Sequence, residues 1–294
     1  MREGSRDVAE HPVADAEIEA FRRDGVVCLR RLLDGKWVDR MRAAVDRAAA
    51  HPGPMRETYH ADQPGIFFSE KFLWTVDADF RAYALSSPVA AAVGRLMDSK
   101  KICLFYDHLL VKEANTPTPT HWHQDLNYWP WVGRQICTVW FPLDRVTRKN
   151  GTLEFVRGSH RWHDGPMSRA SLFGQRAGQP EDNADPDAAP VDEGPPQPDV
   201  ESRRHAFDIV AWDLDPGDVL VFTALTLHYA SGNPTGGRRR ALATRWLGDD
   251  IRWQRKTRML QLLRDPGLRN GDVPDGELFP LVWERAGPRD AVKS

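Results

Sequence analysis

Two His-x-Asp triplets occur in the chain, His60-Ala61-Asp62 and His123-Gln124-Asp125. Alternate residues of a β-strand point the same way, so such a triplet sets an imidazole beside a carboxylate. With one more imidazole, three donors cover one face of a divalent metal and leave the opposite positions open. That is the arrangement of non-haem iron(II) oxygenases. Two occurrences show that the triplet is not specific by itself. The first precedes Pro64-Gly65 in a segment without strand character and is set aside. The second is kept because a third donor follows far downstream. His228 lies just after Pro216-Gly217-Asp218 and the apolar run Val219 to Phe222, which read as a turn and a buried strand.

A basic group close behind would suit a dicarboxylate cosubstrate. Arginine does this best, because its fork pairs with both carboxylate oxygens. Arg238, Arg239 and Arg240 stand there. Strand alternation puts either Arg239 alone or its two neighbours together on the inner face; an isolated arginine run would be read as a solvated turn. Tyr128, Trp129 and Trp131 follow the kept triplet and fit either core packing or the apolar wall of a substrate pocket, the latter being the expectation adopted. His121 shares the strand face of His123 and is expected to line that pocket or the surface. His160 and His163 read as turn-anchoring residues rather than ligands.

These side chains need a scaffold. Residues 1–15 read as a flexible tail. A helix is expected from Asp15 to Arg23, a strand over Val26 to Leu29, a second helix from Lys36 to Ala50 and a third from Asp79 to Met97. Strands then follow at Ile102 to Tyr106, Leu109 to Val111, Ile136 to Phe141, Thr152 to Val156, Ile209 to Leu214, Val219 to Phe222 and Ala241 to Leu247. Short apolar runs separated by Pro, Gly and Asn predict a sandwich or barrel. One domain is expected over 16–270, with a tail over 271–294. Residues 174–201, acidic and rich in Pro and Gly, form an insertion read either as a solvated loop or as a lid.

Bulk properties exclude several classes. The formal net charge is −2 and the pI about 6.6, without the basic excess of a nucleic-acid binder. Three scattered cysteines make no CxxC pair and no disulfide framework. No signal peptide or apolar span is evident, so a cytoplasmic protein acting on a small molecule is expected, its oligomeric state unread. Most of the eleven tryptophans are assigned to the core.

The chain resembles the phytanoyl-CoA dioxygenase family of oxygenases. The resemblance runs from about Ile18 to Asp250, through Phe21-Arg-Arg-Asp-Gly-Val-Val, Ser69-Glu-Lys, Leu109-Leu-Val-Lys, His123-Gln-Asp-Leu-Asn-Tyr-Trp-Pro, Asn150-Gly-Thr-Leu, Gly158-Ser-His-Arg-Trp and Pro216-Gly-Asp. It implies a mainly β fold, a double-stranded β-helix (jelly-roll, cupin-like) buttressed by N-terminal and C-terminal α-helices. It implies iron(II) on His123, Asp125 and His228, and 2-oxoglutarate on Arg239, with Lys71, Trp140 and His108 in the cosubstrate pocket. Dioxygen is the remaining reactant, and hydroxylation the default outcome, because related halogenases leave the position of Asp125 without a carboxylate. Two departures are Arg157, where the family often has proline, and the long insertion. The competing expectations are a metal enzyme of the same shape that does not use 2-oxoglutarate, and a non-catalytic binding module.

Overall fold

Gly25 shows how the chain passes from helix to sheet. Helix α1 (Asp15–Asp24) ends there at φ 79°, a left-handed conformation open to glycine, and the backbone turns directly into β1 (Val26–Leu29). A Cβ at this position would collide with the His160 ring, whose Nε2 lies 3.1 Å from the Arg22 carbonyl. His160 therefore anchors a turn. The computed structural model describes residues 13–60, 64–168, 194–256 and 259–286. Helix α2 (Gly35–Ala50) is capped by the Asp34 carboxylate, which accepts from the Trp37 amide at 3.0 Å.

A hairpin not expected from the sequence comes next, β2 (Arg56–Tyr59) and β3 (Phe67–Lys71). Its charged residues hid the strand pattern. The expected third helix is two, α3 (Ala78–Ser86) and α4 (Val89–Leu96). Pro88 disfavours the α conformation at the residue before it, and Ser87 is extended at φ −75°, ψ 163°.

The remaining strands are β4 (Lys101–Lys112), β5 (Thr120–His123), β6 (Trp131–Val132), β7 (Ile136–Pro142), β8 (Leu153–Val156), β9 (Ile209–Ala211), β10 (Val219–Thr223), β11 (His228–Ala230), β12 (Arg239–Leu247), β13 (Arg252–Trp253) and β14 (Leu281–Glu284). The two strands expected between Ile102 and Val111 are thus one. The large sheet runs β1-β10-β7-β12-β4-β3-β2, with β14 also on β4, and the small sheet runs β5-β11-β8-β9. Every pairing between these strands is antiparallel.

Alternation along β7 divides the interior. Cys137, Val139 and Phe141 pack outward with Val219, Val221, Leu242 and Trp246 against the helices. Trp140 faces inward and packs with Leu220, Phe222, Ala241 and Ala243 against Leu153, Phe155 and Ala230 of the small sheet. This is a double-stranded β-helix with its helices on one outer face.

The C-terminal end corrects two expectations. Residues 259–286 hold no helix, so the buttress is N-terminal among the described residues. The described stretch 271–286 is also more than a tail. Leu278 and Phe279 are buried with Phe105, Trp131 and Trp253, and β14 extends the large sheet. Of the expected insertion, residues 174–193 include no described position, so the lid reading lies outside the described residues. The part from 194 to 201 is docked, with Val200 buried against Trp122 and Leu227. No helix among the described residues is long and apolar enough to cross a membrane.

Candidate metal centre

Strands β5 and β11 pair with His228 directly opposite His123, which brings the ring centroids to 4.0 Å. Asp125 does not lie on the strand, as the triplet reading assumed. It opens a 3-10 turn (Asp125–Tyr128). Gln124 is still extended, at φ −110° and ψ 134°, so the alternation carries one residue further and the carboxylate faces the same way as His123. Gln124 itself is tied down, donating to the Leu225 carbonyl at 2.6 Å and accepting from the Met167 amide at 2.7 Å.

Every donor has its other polar atom engaged. His123 Nδ1 lies 2.7 Å from the His121 carbonyl, and His228 Nδ1 lies 3.0 Å from the Thr226 carbonyl. A carbonyl only accepts, so both Nδ1 atoms carry the hydrogen and both Nε2 lone pairs are free. Asp125 Oδ2 accepts from the Thr138 hydroxyl at 2.7 Å, leaving Oδ1 at 3.5 Å from His123 Nε2 and 3.8 Å from His228 Nε2. Metal bonds of about 2.1 Å meeting near right angles need donors ~3 Å apart, close to this spacing. Among the described residues these three are the group of His, Cys, Asp or Glu side chains placed to hold a metal, their donor atoms all within 4.8 Å of one another.

The protonation states suit that task. Burial, then the neighbouring His123, push His228 down to about 3, so its imidazole is neutral. Burial alone would raise the Asp125 carboxyl. The adjoining His123 and His228 rings, whenever they carry a second proton, and the Arg245 guanidinium outweigh it, and the carboxyl sits well below its usual range. His60 stands at the end of β2, on the edge strand of the large sheet, and Asp62 lies outside the described residues.

The inner face of the large sheet supplies a second set of groups. Lys71 pairs with His108, His108 with Ala243, and Ala243 with Trp140, so one rung crosses β3, β4, β12 and β7. The sequence-predicted cosubstrate residues Lys71, His108 and Trp140 thus lie in line. Burial, then the charges of Arg245 and Lys71, hold His108 well below its ordinary value. Lys71 is ion-paired with Glu57 at 2.9 Å.

The arginine run resolves in favour of Arg239. Arg238 pairs with Glu113 and Asp46, and Arg240 with Asp144 and Asp46, all outside the barrel. Arg239 is only 2% exposed, and its buried Nε has no hydrogen-bond partner. Its guanidinium lies 5.8 Å from the Trp140 ring centre. Burial pushes it down to about 10, against the charge of Asp144.

Two further cations were missed from sequence. Lys112 is fully buried opposite Arg239 on β4, donating to the Ser231 carbonyl at 2.8 Å. Burial, then Arg239, drive its ammonium well below the usual range. Arg245 is buried six residues beyond Arg239, opposite Thr138. A signal existed, since even spacing from Arg239 and from His108 places both on the inner face.

Comparison with known proteins now has a geometry to attach to. The family model described as Phytanoyl-CoA dioxygenase (PhyH) matches residues 21–241, most of the chain. The chain belongs to the phytanoyl-CoA dioxygenase family. A probable phytanoyl-CoA dioxygenase of Caenorhabditis elegans is 27% identical over 135 residues, 44% of this chain and 36% of that protein. The match therefore spans about a third of that relative's length.

Among solved structures, the epimerase SnoN from nogalamycin biosynthesis, in complex with Fe3+, alpha ketoglutarate and nogalamycin RO, superposes with a TM-score of 0.71 at 23% identity, covering 92% of this chain and 98% of that one. The carbocyclase SnoK gives 0.69 at 24% identity, covering 92% and 97%. EctD from S. alaskensis gives 0.67 at 18%, covering 90% and 88%. At these identities the likeness establishes the fold.

The aromatic residues of this family member divide differently from expectation. Tyr128 stands edge-on to His123, with ring centroids 6.2 Å apart, and so borders the centre. Trp129 and Trp131 pack in the hydrophobic cluster around Phe105 and Phe279, as the core-packing alternative had it. Both are buried in the core, Trp131 against Phe105, Trp253 and Phe279, and Trp129 with its Nε1 on the Tyr106 hydroxyl at 3.1 Å. The His121 side chain is exposed; what it gives the site is its backbone carbonyl.

Proposed function

We propose that this family member is an iron(II)- and 2-oxoglutarate-dependent oxygenase that hydroxylates an apolar small molecule in the cytoplasm, with release of succinate and carbon dioxide. The observation that carries the proposal is the pairing of two features in one barrel. Three inward-facing donors have their other polar atoms already bonded, and a guanidinium lies buried nearby without a counter-charge. The first suits a divalent cation, the second a carboxylate.

The donor set fits iron(II), and His123, Asp125 and His228 would hold it. The unpaired Arg239 fits the distal carboxylate of 2-oxoglutarate, with Lys71, His108 and Trp140 as the walls of that subsite. When bound, iron and 2-oxoglutarate together supply the oxidising chemistry, by oxidative decarboxylation of the cosubstrate with dioxygen. The chain's own residues orient and shield. Thr138 keeps Asp125 Oδ1 turned inward, the two backbone carbonyls fix the imidazole tautomers, and Trp140 backs the guanidinium. Tyr128 offers an apolar ring beside His123 for substrate. Three free cysteines agree with a reducing compartment.

Solved relatives of this fold are described as an epimerase and a carbocyclase, so the same oxidant serves several outcomes. Hydroxylation is proposed because Asp125 keeps the carboxylate in place.

Anaerobic titration of the iron(II) protein with 2-oxoglutarate tests the proposal. A visible charge-transfer band is expected, followed on aeration by succinate in step with oxygen uptake and, with substrate, a product carrying one more oxygen atom. Absence of the band would favour a metal enzyme that does not use 2-oxoglutarate. A band without succinate would favour a binding module.

A further inference from the structure

We infer that Arg245 is the recognition residue for a negatively charged oxygen on the substrate, so that the molecule oxidised has an apolar body and an anionic head, a carboxylate being the simplest case. The inference rests on the proposed cosubstrate-dependent reading of the same barrel.

Arg245 is 6% exposed and lies on the inner face of β12. Its register partners are Tyr106 on β4 and Thr138 on β7, and Thr138 is the residue that holds the Asp125 carboxylate. The guanidinium thus sits at the metal end of the barrel, where its charge acts on Asp125 and His228. Its own bonding is sparse. One terminal nitrogen donates to the Ala243 carbonyl at 3.1 Å, and the buried Nε has no partner. Among the described residues no carboxylate forms an ion pair with it. The rings of Tyr106 and Trp129, at 4.8 and 5.9 Å, offer cation–π contact, which is weaker than the hydration a buried ion gives up.

The carboxylates close by are already committed or turned away. Asp107 is next to Tyr106 on β4, but alternation sends its side chain to the opposite face, where it accepts from the Trp74 amide. Burial, the largest cause, pushes Asp107 up to about 7 against the smaller opposing influences of backbone hydrogen bonds and Arg245, and no ion pair joins the two side chains among the described residues. Glu57 is bound to Lys71. Asp125 faces the metal site.

Charge then decides the ligand class. With a divalent ion and 2-oxoglutarate in place, Asp125 and the two cosubstrate carboxylates offset the ion and one guanidinium. Arg239 takes that share, and Arg245 is left without a counter-charge in a water-poor interior. One 2-oxoglutarate carboxylate cannot serve both arginines, because six strand residues separate their Cα atoms by about 20 Å. Between them the inner face carries only the methyl groups of Ala241 and Ala243, which leaves room for ligands. An acidic head on the substrate completes the balance and aims the apolar remainder past Tyr128.

The test uses the anaerobic iron(II) protein with 2-oxoglutarate bound, and a panel of matched pairs: a carboxylic acid and its primary amide on phenyl, cyclohexyl, cinnamyl and linear alkyl skeletons. Binding is read from perturbation of the charge-transfer band. The best-binding skeleton is expected to bind at least tenfold more tightly as the acid than as the amide. Arg245→Gln should equalise the two while shifting 2-oxoglutarate affinity less than twofold. Arg245→Lys, which keeps the charge, should retain part of the acid preference and guards against a folding defect. If no acid outbinds its amide, or if the preference survives in Arg245→Gln, the inference fails. If Arg245→Gln instead weakens 2-oxoglutarate tenfold or more, Arg245 belongs to the cosubstrate and the inference also fails. Loss of the band in the unmodified protein would overturn the parent proposal rather than this one.

Discussion

The two ends of the barrel are built on opposite terms. At the metal end every donor is pre-bonded: the imidazoles to the carbonyls of His121 and Thr226, the carboxylate to Thr138. The three side chains need only close in slightly for a cation to enter. At the other end Arg239 and Lys112 face each other, both buried, and among the described residues their side chains make a single hydrogen bond, from Lys112 to the Ser231 carbonyl. Burial and Arg239 disfavour the Lys112 ammonium, which leaves Arg239 holding its charge without a counter-ion, and an anion relieves it. One end is finished before its ligand arrives and the other is incomplete without it. The comparison teaches that metal affinity and cosubstrate affinity rest on separate side chains and separate physics.

Four substitutions can break or sharpen that separation. His228→Ala removes one of three donors and should abolish iron(II) binding at micromolar metal, measured by anaerobic equilibrium dialysis; retained binding would place the metal elsewhere. Arg239→Met should leave iron affinity within a few fold and weaken 2-oxoglutarate by roughly 100-fold, the scale of a lost charge-assisted bidentate pair. If iron falls equally, the two ends are not independent. Thr138→Val keeps shape but frees Asp125 Oδ2, and a drop in iron affinity of about tenfold or more is expected, as for other groups that orient ligands. 2-Oxoglutarate titration of the metal-loaded variant should be nearly unchanged. His60→Ala should alter neither affinity; a loss there would revive the discarded triplet.

How much of this was legible beforehand varies with the distance the information travels. The triad was readable because a two-residue spacing and one downstream histidine sufficed. Helices α1 and α2 announced themselves through apolar periodicity, and Gly25 through its position. The split at Pro88 was readable in principle, since the rule is local, yet the apolar run across it argued for one helix. Trp131 followed the metal strand in sequence and was assigned to the pocket on that ground. Its burial depends on Trp253 and Phe279, more than a hundred residues away.

The amino-acid order alone determined which residue types were available to bind metal and carboxylate, and, outside the β2–β3 hairpin, most of the segments that became helix or strand. Such properties depend on neighbours within a few residues. Tertiary structure decided the rest: that His123 meets His228, that Lys112 faces Arg239, that Arg245 shares a rung with Thr138. Those pairings are set by antiparallel register between strands distant in the chain, and a slip of one residue would turn each of these side chains to the opposite face.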